Sequence, residues 1–164
     1  MLRRQDHEAI HTALALTGTT QFRNRRLAEL SGGEQQRAWI ALTLAQQTPV
    51  LLLDEPTTFL DIAHQLEVLE LVRRLNLEHG LTVVLVLHDL NAAARFAHRI
   101  VALRAGAIVA DAPPPPAQVI TPEVVAAVFG VQACVVSDPV TGAPVCLPTA
   151  VLPAVQGTVG VGGS

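Results

Sequence analysis

The sequence predicts an α/β fold, with a parallel sheet flanked by helices and a small β/α extension at its C-terminal end. Three observations carry that expectation. Val-Leu-Leu-Leu at 50–53 and the run at 81–87 are apolar stretches of strand length, and continuous apolarity marks strands buried on both faces of a parallel sheet. Between them, residues 61–79 repeat apolar positions at helical spacing, so strand, helix and strand read as one βαβ unit with a parallel, right-handed crossover. Each strand also ends in chemistry-bearing residues, Asp54 and Glu55 after the first and His88 after the second.

Taken in order, residues 6–16 read as a helix with Ile10, Ala13 and Leu14 on one face and Gly18 as its stop. Ser31 offers an N-cap and Glu34 completes a capping box ahead of Ala38, Trp39, Ile40, Ala41, Leu42, Leu44 and Ala45, which predicts a largely buried helix. Thr48-Pro49 ends it before the first strand. The next helix, from Asp61 to about His79, is expected to bury Ile62, Leu66, Leu69 and Val72, to leave Gln65, Glu70, Arg73 and Arg74 outside, and to stop at Gly80. A short helix over 90–97 then leads to strands at 100–103 and 107–110, joined as a hairpin by Arg104-Ala105-Gly106.

Pro113 to Pro116 predict a stiff polyproline linker. After it come a capped helix over 121–129 and strands at 131–136 and 144–147, around the turn Asp138-Pro139-Val140-Thr141-Gly142. The organisation expected is therefore a first segment 1–112, a C-terminal extension 113–149 and a disordered tail 150–164 rich in Gly and Val.

Composition narrows the function. The 164 residues suffice for one domain or a large part of one. Half of them are hydrophobic, and mean hydropathy is +0.40. No run of about 18 apolar residues occurs, as a membrane-spanning helix requires. The N-terminus meets charge at once and has no apolar core of a secretory signal, which points to the cytoplasm. A net charge of −3 without a basic run argues against a nucleic-acid partner. Cys134 and Cys146, outside any CxxC or Cys/His cluster, read as small buried hydrophobes. All eleven cationic residues are arginine, so the sequence has no lysine.

Three sites concentrate the chemistry. Ser31, Gly32 and Gly33 open a helix, where exposed amides and the positive end of the dipole let a phosphate approach closely. Ser-Gly-Gly before a helix is also an ordinary cap. Asp54 and Glu55 end a buried strand at the sheet edge where ligands bind, and there Asp54 could hold Mg²⁺ through water while Glu55 takes a proton from an attacking water. A solvated acidic pair is the plain alternative. His88 ends the neighbouring strand and so arrives at the same edge, placed to bond a terminal phosphate. His7, His11, His64, His79 and His98 read as solvated residues on helices or their ends.

The order LSGGEQQR, VLLLDEP, Leu60-Asp61 and LVLHD resembles the signature motif, Walker B, D-loop and H-loop of an ATP-binding-cassette (ABC) ATPase, the C-terminal part of such a P-loop NTPase domain. The segments 36–41, 54–61, 88–91 and 138–144 are similar, more narrowly, to the ATPases of iron(III)-siderophore importers, a group related to vitamin B12 and haem importers. The resemblance implies that Ser31, Gly32 and Gly33 contact the γ-phosphate of ATP held by an opposite subunit, with Glu34 beside them where many members have Gln. It implies Asp54 on Mg²⁺, Glu55 as general base, His88 on the γ-phosphate and Asp61 communicating across a dimer. The partners implied are a second ABC ATPase subunit, an integral-membrane permease and a substrate-binding protein. The location implied is peripheral, on the cytoplasmic face of the cell membrane.

Two motifs of an intact cassette are missing from this sequence: the P-loop GxxxxGK[ST], whose amides and lysine cradle phosphates, and the glutamine of the Q-loop. Two readings follow. Either the chain is a truncated importer ATPase, active only with its phosphate-binding half, or it is an inactive binding partner that lends its signature face to a complete ATPase.

Overall fold

The computed structural model describes residues 3–112, 115 and 118–153, and the chain divides into two units, Met1–His88 and Asp89–Ser164. In the first unit α1 spans Arg4–Leu16, its amino end closed by the Asp6 carboxylate, which accepts the Arg3 N–H at 2.7 Å. The Thr17 hydroxyl ends it by donating to the Ala13 carbonyl, and Gly18 turns the chain at φ +64°. Two short 3-10 turns, Thr20–Phe22 and Leu27–Glu29, lead to α2 (Gly32–Leu44).

Strands β1 (Val50–Asp54) and β2 (Thr82–Val86) pair in parallel, from Val50 opposite Thr82 to Asp54 opposite Val86. Helix α3 (Ile62–His79) connects them, begun by Asp61 and stopped by Gly80 at φ +64°. The core joins Ile40 of α2, Leu51 and Leu53 of β1, and Val68, Leu71, Val72 and Leu75 of α3.

Three burial expectations need correction. Helix α2 buries Gly33, Ile40 and Ala41 but turns Trp39 and Leu42 outward, each more than half exposed. On α3 the buried stripe is Val68, Leu69, Leu71, Val72 and Leu75, all but Leu69 in the core with Leu51 and Leu53 of β1, while Ile62 and Leu66 are exposed and lie outside that core. The strands, expected to be apolar inside on both faces, bury one face only: Leu51 and Leu53 are inside, whereas Val50, Leu52, Val84 and Val86 face outward.

In the second unit Asp89 caps α4 (Leu90–Phe96), its Oδ1 accepting from the Asn91 and Ala92 amides. Strands β3 (Ile100–Arg104) and β4 (Ala107–Ala112) form the expected antiparallel hairpin, with Ala105 and Gly106 both at positive φ as a two-residue turn of matching twist requires. Helix α5 (Pro122–Phe129) runs from the Thr121 cap to Gly130. Strands β5 (Val131–Ser137) and β6 (Pro144–Val151) then pair antiparallel around a turn in which Asp138 accepts from the Val140 amide and the Thr141 hydroxyl.

Ala94, Ile120, Val125 and Cys146 form the core of this unit. The Asn91 amide exchanges two hydrogen bonds with the backbone of Cys146 and so ties α4 to β6. Cys146 is buried but Cys134 is exposed, which corrects the expectation for the latter. Strand β6 continues to Val151, into the stretch expected as tail; residues 154–164, and Pro113, Pro114 and Pro116 of the expected linker, lie outside the described residues. Among the described residues no helix is long and apolar enough to cross a membrane.

Candidate functional site

Parallel pairing in register carries Asp54 and His88 to one end of the sheet, because Asp54 lies opposite Val86, two residues before His88. Glu55 follows the last strand residue and donates its N–H to the Val86 carbonyl at 3.1 Å, which extends the ladder by one bond. Its backbone then turns at φ +47°, in the left-handed region that L residues enter uncommonly and at a cost, and that surrounding structure holds at turns and at functional sites. Pro56, buried behind it, fixes the turn, and the Thr58 amide closes it on the Glu55 carbonyl at 3.2 Å.

So aimed, Glu55 Oε1 lies 2.5 Å from His88 Nε2 and its Oε2 accepts the Thr58 hydroxyl at 3.1 Å. These two bonds, the histidine's first, hold the Glu55 carboxyl below its ordinary range. An ionised carboxylate only accepts, so the proton in the short contact sits on Nε2. Asp54 is exposed at the strand end, and no side-chain partner for it is found among the described residues. Among those residues no group of three His, Cys, Asp or Glu could hold a metal ion. One free carboxylate nonetheless suits Mg²⁺, which keeps several waters and takes one or two carboxylates beside substrate phosphates.

The second group surrounds the start of α2. The Ser31 hydroxyl accepts the Glu34 amide at 3.4 Å while Glu34 Oε2 accepts the Ser31 amide at 2.8 Å, so the predicted capping box is present. The Ser31 backbone bond, ahead of its hydroxyl, lowers the Glu34 pKa. The glycines press against the segment that begins α3. A Cβ on Gly32 would stand 3.3 Å from Leu60, and one on Gly33 would stand 2.3 Å from the His64 ring. Asp61 caps α3 by accepting the His64 amide at 2.9 Å, and the same oxygen lies 2.8 Å from His64 Nδ1. Both bonds keep its carboxyl below the ordinary range.

The structure thus gathers Asp54, Glu55 and His88 at one strand end, and Ser31, Gly32, Gly33, Glu34 and Asp61 at one helix junction. Among the described residues no hydrogen bond joins the two groups. His64 corrects an expectation: it is not a solvated helix residue but packs on Gly33 and bonds Asp61. Thr58 escaped sequence reasoning, and Gln65, expected outside on its helix, is instead half-buried. Gln65 Nε2 donates to the Leu60 carbonyl at 3.0 Å and holds the loop between the two groups. The sequence signal for both is position: a hydroxyl three residues after Glu55, and a polar pair in the first turn after the Asp61 cap.

Comparison with known proteins gives a consistent picture. The family profile described as ABC transporter matches residues 3–58. The ferric enterobactin transport ATP-binding protein FepC of Escherichia coli (strain K12) is 47% identical over 146 residues, which are 89% of this chain and 53% of that protein. The iron(3+)-hydroxamate import ATP-binding protein FhuC of Bacillus subtilis (strain 168) is 49% identical over 143 residues, 87% of this chain and 52% of that protein. An inward-facing ABC transporter assigned to the metal-chelate type superposes with a TM-score of 0.81 at 26% identity, over 91% of this chain and 59% of that one. The chain spans about half the length of the curated relatives it matches.

Proposed function

Because the chain belongs to the ABC transporter family of ATP-binding proteins, we propose that it carries the signature, general-base and switch-histidine part of an importer's ATP-hydrolysing machinery. One observation supports this reading above others: the hydrogen bond between Glu55 and His88, made across the ends of two parallel strands.

Glu55 is ionised at neutral pH and can take the proton of a water attacking a γ-phosphate. While His88 donates to it, its basicity is reduced. A terminal phosphate that competes for the Nε2–H draws His88 away, and Glu55 becomes the stronger base when ATP is in place. Asp54 would hold Mg²⁺, which neutralises charge on the phosphoryl oxygens. Ser31 and the Gly32 and Gly33 amides present hydrogen-bond donors at the positive end of α2, the surface that caps ATP gripped by another subunit. Phosphate gripping itself requires a P-loop, and this sequence has neither its glycine pattern nor any lysine.

The protein is then an ATPase subunit paired with a second cassette and docked peripherally on the cytoplasmic side of a permease. FepC and FhuC are described by ferric enterobactin transport and iron(3+)-hydroxamate import, and an iron(III)-siderophore complex is the cargo we assign. Iron-repressed expression beside a permease gene would agree with that cargo; expression indifferent to iron would remove it.

The purified 164-residue chain is expected to show no ATP turnover above background. Co-expressed with the P-loop half of a relative it should hydrolyse ATP, and Glu55→Gln should lower that rate by about 10²-fold or more while ATP still binds. Turnover by the chain alone that Glu55→Gln leaves unchanged would overturn the assignment. An inactive partner that lends its signature face to a complete cassette would instead stimulate that cassette without using Glu55.

A further inference from the structure

The two signature glycines lie at a seam between α2 and the start of α3. His64 touches both sides of it. Its ring occupies the space in front of Gly33, where a Cβ would meet Cδ2 at 2.3 Å and Cγ at 2.9 Å, closer than non-bonded carbons approach. Its Nδ1 lies 2.8 Å from the Asp61 carboxylate, which as an acceptor fixes the proton on Nδ1. The ring is therefore held in one orientation by Asp61 and in turn bears on the second signature glycine. One further bond crosses the seam, Arg37 of α2 to Glu67 of α3 at 2.6 Å, and Gln65 holds the Leu60 carbonyl within the segment that carries Asp61.

We propose that His64 is a positioning residue that couples Asp61 to the signature turn, so that the Gly32 and Gly33 amides move with the segment carrying Asp61. On this view Gly33 is glycine because the His64 ring fills its side-chain space, not because phosphate alone demands it. The activity arm of the proposal rests on the ATPase reading; the packing arm does not. In such a machine the conformation at Asp61 reaches the phosphate-capping amides through one imidazole, without a nucleotide contact of its own.

Two measurements test it. Urea unfolding of the 164-residue chain, followed by Trp39 fluorescence, compares wild type, Gly33→Ala, His64→Ala and the double variant. Gly33→Ala should lower the midpoint, and adding His64→Ala should restore it to that of His64→Ala alone. A Gly33→Ala midpoint equal to wild type, or one His64→Ala does not rescue, overturns the packing claim whatever the chain does with ATP.

The second measurement uses the complex with a P-loop half. His64→Ala should lower kcat by about tenfold or more, the scale of a small misplacement of reacting groups, while KM for ATP stays within about twofold because the P-loop holds the nucleotide. His64→Asn, whose side-chain amide can replace Nδ1–H toward Asp61, should recover most of the loss. Asp61→Asn should cost little more once His64 is alanine. Should kcat in His64→Ala match wild type in a complex that hydrolyses ATP, positioning is wrong and the ATPase reading stands. Should the wild-type complex be inactive, the functional reading falls and the unfolding cycle still decides the seam.

Discussion

Ser31 caps α2 and, in the function we propose, also faces a phosphate, and substitution can separate the two. As the cap of α2 its hydroxyl satisfies the Glu34 amide, and Ser31→Ala should cost about 1 kcal/mol of stability, the usual scale for losing such a cap, read by urea unfolding. In the proposed role, facing another subunit's ATP, it would need open space, so Ser31→Arg should abolish ATP-dependent pairing in the complemented protein, measured by light scattering. Glu34 adds a pH dependence of known sign. Its folded pKa lies below the ordinary 4.5, so its stabilising contribution is complete above 4.5 and is lost as pH falls through the lower folded value. Gln can keep the capping geometry without titrating. The stability of wild type relative to Glu34→Gln should therefore decline across that acid window, and a difference constant with pH would show that the carboxylate is not the titrating partner of Ser31. Both residues and their capping pattern were legible in the sequence, since a box is a local, three-residue arrangement. His64 was not, because its partner Gly33 lies thirty-one residues away in sequence and nothing local reveals that the two touch.

At the scale of elements, β1, β2 and α3 carry the core of the first unit and leave one face of its sheet open. Leu75 of α3 is among the most deeply buried side chains, 1% exposed within the core of that unit. Leu75→Ala should cost about 2–5 kcal/mol by creating a cavity. On the other side of the sheet Leu52 is 66% exposed, with Val50, Val84 and Val86 beside it. Among the described residues β1 and β2 pair only with each other. Unpaired strand edges next to apolar side chains template association with further strands. The isolated chain should self-associate on size-exclusion chromatography, and Leu52→Lys should shift it toward monomer without lowering its helix content. A sharp monomer peak for the wild type would count against this. The apolar strand runs were read correctly as a parallel pair. Their apolarity did not tell that one face would be open in this chain, because a strand's sequence records the neighbours it can pack against, not whether they are present.

At the scale of the whole chain, the two units have separate cores, one centred on Ile40, Leu51 and Leu75 and the other on Val125 and Cys146. The single tryptophan, Trp39, lies in the first, so its fluorescence reports that unit while far-UV circular dichroism reports both. Val125→Ala should move the dichroism transition and leave the Trp39 midpoint in place, whereas Leu75→Ala should move the Trp39 midpoint. Coincident shifts in both signals would mean that the units unfold as one. What the sequence determined by itself was the order of elements, the cap at Ser31, the helix starts at Asp61 and Thr121, the stop at Gly80, and the carboxylates and histidine at two strand ends. All of these follow from periodicity and from backbone chemistry within a few residues. The tertiary structure alone decided the 2.5 Å contact of Glu55 with His88, thirty-three residues apart, the His64 ring against Gly33, and which faces of α2, α3 and the sheet are inside. The physical reason is range: hydrogen bonds of caps and turns are fixed by neighbours along the chain, whereas side-chain packing and the meeting of Glu55 with His88 depend on which distant segments share the same volume.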